Sequence, residues 1–226
     1  MTIPDRKIVA CLGSSSTAGK GQAFDWIAEL GRQPRNAQFE FRNFGTGGDL
    51  AYNALQRLPE VLACRPAKVI VWVGGNDVLA LVSRKVRRFF SLWKRLPRDP
   101  SPDWFHDSLA KITRRLKSET TADIGLCSLP PIGEAPDSDD PFQSALNRRI
   151  EQYSAIIATV AARKAVPISR STRRSPRQFA PRPAGPSRPS TFFPSTAMPF
   201  ACWCCGRAPT RSRAAMAGCF TPTACI

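Results

Sequence analysis

Histidine is nearly absent from this sequence. Its 226 residues include a single histidine, His106. Chemistry that needs an imidazole, as a proton acceptor or as a metal ligand, therefore has one candidate residue in the chain. The surrounding residues 103–107 have the pattern of an exposed helix start, so we do not expect His106 to serve as a catalytic base.

Long hydrophobic runs are also missing. No segment approaches the roughly 20 apolar residues that a membrane span requires. The apolar run at residues 8–12 is far shorter than the hydrophobic region of a secretory signal and leads directly into a Gly/Ser-rich loop. We therefore expect a cytoplasmic protein without a membrane span.

Acidic residues are absent from the last quarter of the chain. Residues 169–226, called the tail below, carry nine arginines and no Asp, Glu, His, Lys, Leu or Val. Without large aliphatic side chains the tail lacks the burial that would offset chain entropy, which predicts disorder. We expect residues 1–168 to form a domain that lacks the remainder of its last strand and its final helix, and the tail to lie outside it.

The tail raises two ligand questions. Its arginines contribute to the formal net charge of +16, which would attract nucleic acid. Its five cysteines could suggest a metal site, but they include an adjacent pair and have no acidic or histidine neighbours. We expect neither a nucleic-acid partner nor a bound metal. The cysteines of the tail are Cys202, Cys204, Cys205, Cys219 and Cys225.

Apolar strands alternate with amphipathic helices through the first three-quarters of the chain. This order predicts an α/β fold in which helices cover both faces of a parallel sheet. Strands are predicted at 7–12, 39–43, 68–73 and 124–129, with a fifth beginning at 166–168. Helices are predicted at 21–30, 49–62, 79–96, 104–116 and 142–164.

Loops rich in Gly, Ser, Thr and Asn follow the first three strands. They are residues 13–20, 43–49 and 74–77. Ligands of such sheets bind at the carboxyl ends of the strands, so the chemistry should lie in these loops. Taken singly, the first could be a phosphate loop or a plain turn and the second a flexible turn. Asn76 and Asp77 in the third could also cap a helix.

Together the three loops resemble the conserved blocks of the SGNH (GDSL-like) esterases, in the family order. Gly13-Ser14-Ser15-Ser16-Thr17 is similar to Gly-Asp-Ser-x-Thr, Gly47-Gly48-Asp49 to the end of the second block, and Gly74-Gly75-Asn76-Asp77 to Gly-x-Asn-Asp. The resemblance implies a three-layer α/β/α, flavodoxin-like fold and cofactor-free hydrolysis of a small-molecule ester. It also implies that Ser15 is the nucleophile. The oxyanion would be held by the N–H groups of Ser15 and Gly48 and the amide of Asn76.

The family's base is missing. In this family a histidine and its aspartate come from an Asp-x-x-His block near the C-terminus, and no such block follows His106. The catalytic His and Asp therefore have no counterpart here. We expect either an esterase of impaired activity, or a binding protein that keeps the cleft, has lost turnover and carries a basic tail.

The genetic code offers a third account of the tail. When each new codon is taken from the third base of one residue and the first two of the next, Cys202–Cys205 can encode only Leu-Val-Leu. In the same shifted frame, residues 220–226 can encode His-x-Asp-Gly-Met-His, which contains Asp-x-x-His. We therefore hypothesise a frameshift between about residues 166 and 171.

A basic segment with aromatic residues lies inside the domain, at residues 84–95. One interpretation is a solvated helix that turns four apolar side chains inward: Val86, Phe89, Phe90 and Trp93. The other is a surface element that flanks the cleft or meets anionic lipid. The sequence favours the first interpretation and leaves the second open.

Overall fold

A computed structural model describes residues 6–19, 24–132, 140–164 and 166–169. Its sheet contains five parallel strands in the order β2-β1-β3-β4-β5. The strands are β1 Lys7–Gly13, β2 Phe39–Gly45, β3 Lys68–Trp72, β4 Asp123–Cys127 and β5 Ile168–Ser169. This is the predicted flavodoxin-like parallel sheet, and its strand order reverses between β1 and β3.

Helices connect successive strands. They are α1 Ser15–Ala18, α2 Trp26–Arg32, α3 Ala51–Gln56, α4 Leu58–Ala63, α5 Gly75–Leu79, α6 Arg84–Trp93, α7 Pro102–Glu119 and α8 Pro141–Lys164. A short 3₁₀ helix at Pro34–Asn36 precedes β2.

Two cores lie on opposite faces of the sheet because successive side chains of a strand alternate in direction. Val9 and Cys11 of β1 pack with α2, whereas Ala10 and Leu12 of the same strand pack on the other face. That second face is covered by α3, α4, α7 and α8, whose apolar stripes form the larger core. The fold class predicted from the sequence is therefore confirmed.

Two of the predicted helices are interrupted. The helix predicted at 49–62 is divided at Arg57 into α3 and α4, where Pro59 near the start of α4 has no N–H to continue the ladder. The helix predicted at 79–96 is likewise wrong as one element. Ser83 starts a new helix there, its hydroxyl accepting a hydrogen bond from the Val86 N–H at 3.2 Å.

The C-terminal part of the sheet contains the start of the fifth strand predicted at 166–168. β5 pairs with Leu126 and Cys127 of β4 over two residues, and the rest of that strand, expected to be missing, would lie beyond the described residues. The predicted disorder of the tail and the predicted absence of a final helix concern residues that, beyond Ser169, lie outside those described. No helix among the described residues has both the length and the apolar character to cross a membrane.

Candidate active site

The loops that carry the predicted site residues leave neighbouring strands at one edge of the sheet. Gly13, the last residue of β1, stands in register with Gly45 of β2 on one side and with Trp72 of β3 on the other. Adjacent strands lie about 4.8 Å apart. The loops containing Ser15, Gly48 and Asn76 therefore start side by side, at the reversal of strand order.

Ser15 begins a single turn of helix. The Ser14 carbonyl accepts hydrogen bonds from the N–H groups of Thr17 and Ala18 at 3.1 and 2.9 Å, which closes the turn. The first N–H groups of a helix have no partner within it, so those of Ser15 and Ser16 are available to an anion at this position. Ser15 itself is half-buried, whereas Ser14 is buried.

Two glycines allow this turn to sit close to the sheet. A Cβ added to Gly13 would overlap the Thr17 side chain and lie 2.9 Å from the Trp72 carbonyl oxygen. A Cβ added to Gly45 would overlap the backbone of Thr17 and Ala18. The Asn43 amide also donates to the Thr17 carbonyl at 2.8 Å. The ends of β1 and β2 thus fix the height and direction of the turn that carries Ser15.

Gly48 occupies a left-handed conformation that favours glycine, with φ of 75°. Its loop is anchored to β1 by the hydrogen bond from the Thr46 N–H to the Gly13 carbonyl, at 3.1 Å. The residue is covered from outside, since a Cβ added there would overlap the Trp93 ring and lie 2.8 Å from Lys94 Cε. The end of α6 therefore packs directly on the loop predicted to supply an oxyanion donor.

A buried charge cluster lies under the same loop. The Asp49 carboxylate is 2.8 Å from Arg57 and 2.9 Å from Lys94 Nζ. Lys94 Nζ also donates to the Gly47 carbonyl at 2.5 Å, and Arg57 donates to the Phe44 carbonyl at 3.2 Å. The Asp49 carboxylate and two backbone carbonyls are thus bonded to two cations, and these contacts fix the path of the backbone through Gly48.

Asn76 is buried in the first turn of α5. Its side-chain amide donates to the Asp49 carbonyl at 2.9 Å. An amide nitrogen carries two hydrogens, so one remains for a second acceptor. The contact also joins the loop after β3 to the loop after β2.

Asp77 serves a structural purpose beside Asn76. Its Oδ2 accepts a hydrogen bond from the Ala51 N–H at 3.0 Å, which caps the start of α3. Burial raises the pKa of this carboxyl to about 7, and the hydrogen bond from Ala51 opposes the rise. The alternative considered for this loop, that Asn76 or Asp77 caps the helix it opens, is wrong, because Gly74 is the N-cap of α5 and no side chain bonds there. Asp77 instead caps α3, an element earlier in the chain.

The structure does not bring His106 into this arrangement. The residue lies near the start of α7, with its Nδ1 3.3 Å from Asp107 Oδ1. It lines a cavity of about 230 Å³ between α7 and α8, together with Ala110, Arg114, Val160 and Arg163. None of the residues lining this cavity belongs to the three loops, and the expectation that His106 is not the base stays a prediction.

Sequence reasoning missed Arg57, Trp93 and Lys94. Arg57 and Lys94 reach the loop from elements 8 and 45 positions away from Asp49. The only signal of Arg57 and Lys94 in the sequence is a positive charge within a predicted helix, and such a charge ordinarily indicates a solvent-exposed face. Within the described residues, no group of three or more His, Cys, Asp or Glu side chains is placed to hold a metal ion.

Comparison with known proteins identifies the family. A model of the GDSL-like lipase/acylhydrolase family matches residues 11–191. No curated protein matches the chain. Solved structures that share its fold at low sequence identity include the following three.

The first is AlinE4, an esterase of the SGNH-hydrolase family, which is 21% identical with a TM-score of 0.52, over 74% of this chain and 77% of that one. The acetyl xylan esterase AlAXEase is 22% identical with a TM-score of 0.55, over 72% and 76%. Axe2, an acetylxylan esterase from Geobacillus stearothermophilus, is 18% identical with a TM-score of 0.56, over 75% and 78%. The chain therefore belongs to the GDSL-like lipase/acylhydrolase family, as its three loops predicted.

Proposed function

We propose that this protein is a serine-dependent ester hydrolase with Ser15 as nucleophile. One observation carries the proposal: the loops of Ser15, Gly48 and Asn76 leave three adjacent strands at the point where strand order reverses. Family membership supports ester hydrolysis as the reaction. The substrate proposed is a small-molecule ester, and no cofactor takes part.

The proposed reaction is acyl transfer through a tetrahedral intermediate. Ser15 Oγ attacks the ester carbonyl carbon, and its proton must pass to a base. Negative charge then develops on the carbonyl oxygen, where the N–H groups of Ser15 and Gly48 and the free amide hydrogen of Asn76 would donate. Collapse of the intermediate expels the alcohol, and water later hydrolyses the acyl-serine.

The proposed activity is impaired in this chain. The single histidine faces the groove between α7 and α8, and no Asp-x-x-His follows it in the sequence. Loss of the base in a serine hydrolase typically lowers kcat by about 10⁴-fold or more, leaving the contribution of the oxyanion donors.

The position of His106 also favours a second candidate function. A protein with an ordered oxyanion loop and no base could bind an ester or a carboxylate without turning it over. In that case the ion pairs of Asp49 with Arg57 and Lys94 would hold the Gly48 loop in place for ligand binding, without catalysis.

Labelling with a fluorophosphonate separates the two candidates. If Ser15 is an activated nucleophile, the protein labels at Ser15, and Ser15→Ala abolishes the label while Ser14→Ala and Ser16→Ala retain it. Weak labelling that is equal in all three variants would instead support the binding protein.

The frameshift hypothesis has its own test. Sequencing the gene from the codon of Val166 to beyond that of Ile226 shows whether the shifted frame encodes Asp-x-x-His. If it does, the protein made from the restored frame should hydrolyse p-nitrophenyl acetate at least about 10⁴-fold faster than this chain. A shifted frame without that block would refute the hypothesis and leave the Ser15 assignment to the labelling experiment.

A further inference from the structure

The outer face of α6 exposes apolar side chains that the sequence pattern predicts to face inward. Phe90 is buried and Val86 is half-buried, as expected. Phe89 is 47% exposed and Trp93 44% exposed, so the expectation was wrong for both. Leu92, three positions after Phe89 and next to it on the helix surface, is 80% exposed. These three residues form what we call the α6 apolar ridge.

The ridge is not a loosely attached element. Ser83 caps the start of α6, and Phe90 packs with Leu50 and Ala80 in a small core of its own. At the other end, Lys94 is held by Gly47 and Asp49. The helix is therefore fixed on the fold by one face, while the ridge projects from the other.

Basic residues surround the ridge without acidic neighbours in the segment. Seven Lys and Arg residues and no Asp or Glu lie between Asp77 and Asp99. Arg84, Lys85 and Arg88 are exposed on the same side of α6, and Arg95 is exposed just after it. Two of the seven are paired with carboxylates: the Arg87 guanidinium lies 3.8 Å from Asp99, and Lys94 Nζ lies 2.9 Å from Asp49. The surface thus combines exposed apolar groups with unbalanced positive charge.

We propose that the α6 apolar ridge and its basic rim dock the protein on an anionic lipid surface. A basic helix that presents Trp, Phe and Leu matches the interfacial region of a bilayer. There the aromatic and aliphatic groups enter the headgroup boundary and the cations pair with lipid phosphates. The binding is peripheral, along one face of a helix of ten residues.

Charge complementarity selects this occupant over others. The tail carries nine arginines and no acid, so it would repel the basic rim rather than cover it. A second copy of the chain would bring the same positive surface. An acidic protein could satisfy the rim. However, the strongly projecting Leu92 matches a fluid apolar layer, which needs no shaped pocket to receive it.

Docking would place the candidate active site next to the lipid. Trp93 belongs to the ridge and also covers Gly48. The inference does not depend on ester hydrolysis, because lipid binding can be measured without turnover. A Ser15→Ala variant should bind vesicles as the unaltered chain does, even if the esterase proposal fails.

Vesicle binding of the full chain tests the proposal. Partitioning would be measured on phosphatidylcholine vesicles with and without about 30% phosphatidylglycerol, at low and at physiological salt. Leu92→Glu should lower the partition coefficient on anionic vesicles by about tenfold. The matched control is Phe142→Glu, because Phe142 is 57% exposed on α8, outside the ridge.

A second pair of variants tests the rim. Arg84→Glu with Arg88→Glu should weaken anionic binding by about tenfold or more, and Lys111→Glu with Arg114→Glu on α7 should have a smaller effect. Brominated lipid should quench the fluorescence of Trp93. Quenching should therefore persist in the Trp203→Phe variant and disappear in the Trp93→Phe variant.

The contrary results are equally specific. Equal binding by Leu92→Glu and Phe142→Glu, with quenching that depends on Trp203, would assign vesicle binding to the tail and overturn the proposal. Binding to polyglutamate, lost in the rim variant and without vesicle binding, would overturn it in favour of an acidic protein partner. Circular dichroism at matched concentration verifies that each variant is folded.

Discussion

The loops after β2 and β3 each place a buried aspartate beside a proposed oxyanion donor, and the two are neutralised in different ways. Asp49 follows Gly48 and Asp77 follows Asn76, and both are less than 5% exposed. Asp49 is paired with two cations. Asp77 accepts a backbone hydrogen bond from Ala51 and has no ion-pair partner among the described residues.

This difference shows that burial alone does not determine the protonation state of a carboxyl group. A buried charge is tolerated when cations compensate for lost hydration, and otherwise the group takes up a proton more readily. In the loop after β2, Asp49 is paired with Arg57 and Lys94. In the loop after β3, burial raises the pKa of Asp77 to about 7, so a rise in pH through that value should act on this loop.

The largest effect is expected from Asp49→Asn. Removing the carboxylate leaves Arg57 and Lys94 without their anion, at side-chain exposures of 20% and 12%. The free energy of unfolding should fall by about 3 kcal/mol, as when one partner of a buried ion pair is removed. Urea denaturation measures the change. Glu119→Gln, which breaks an exposed pair with Arg115, is the control and should cost less than about 1 kcal/mol.

Asp77→Asn should change the pH dependence of stability. The pKa of Asp77 is about 7 when folded against an ordinary 3.8, so between these values the unfolded chain releases its proton first. The contribution of Asp77 to the free energy of unfolding therefore falls as pH rises from about 4 to about 7, by roughly 3 kcal/mol.

In the variant this component disappears, because asparagine can still accept from the Ala51 N–H and does not titrate. Melting curves at half-unit steps of pH compare the two proteins. Identical slopes between pH 4 and 7 would show that Asp77 is not protonated on folding, and would remove the contrast with Asp49.

Two glycines at the end of β2 and in the loop after it sharpen the comparison further. Gly45→Ala would drive a Cβ into the backbone of Thr17 and Ala18, whereas a Cβ at Gly47 meets nothing within 4 Å. We expect Gly45→Ala to destabilise the protein by about 2 kcal/mol and to weaken fluorophosphonate labelling of Ser15. Gly47→Ala should change both by little. Similar losses in the two variants would argue that the loop is uniformly rigid rather than tight only under α1.

The smallest effect is expected at Lys94. Lys94→Met removes one of the two cations on Asp49 and the contact of the Lys94 ammonium with the Trp93 ring, 4.5 Å from the ring centroid. Stability should fall by about 1 kcal/mol. Lys94→Arg should recover part of the loss. If Lys94→Met had no effect on stability, Arg57 alone would be enough to compensate the charge of Asp49, and the ion pair with Lys94 would be dispensable for the loop.

The strands and site loops were predictable because their signals are local. β3 is a short run of apolar and β-branched residues that ends at Gly74-Gly75, and such a run can be read without knowledge of its neighbours. The helix breaks were predicted poorly. Pro59 removes one backbone hydrogen bond, and Ser83 accepts one from the start of α6. Neither change alters the spacing of apolar residues, so the periodic pattern continues across both breaks.

The orientation of α6 was not predictable for a different reason. Its apolar residues occur at Val86, Phe89, Phe90, Leu92 and Trp93, too many for one narrow stripe. Which of them are buried depends on the small core formed by Leu50, Ala80 and Phe90. The sequence expectation put Phe89 and Trp93 inward, and the packing of the helix instead exposes them.

Residue type and spacing along the chain were enough to predict the α/β class and the order of the three Gly-, Ser- and Asn-rich loops, and they show that no histidine follows His106. The tertiary structure decided which distant cations meet Asp49, that Asp77 caps α3, and that Trp93 covers Gly48. Apart from the Arg57 pair, these contacts join residues far apart in the sequence. The loops after β2 and β3 and the end of α6 come within hydrogen-bonding or van der Waals distance of one another only when the chain is folded.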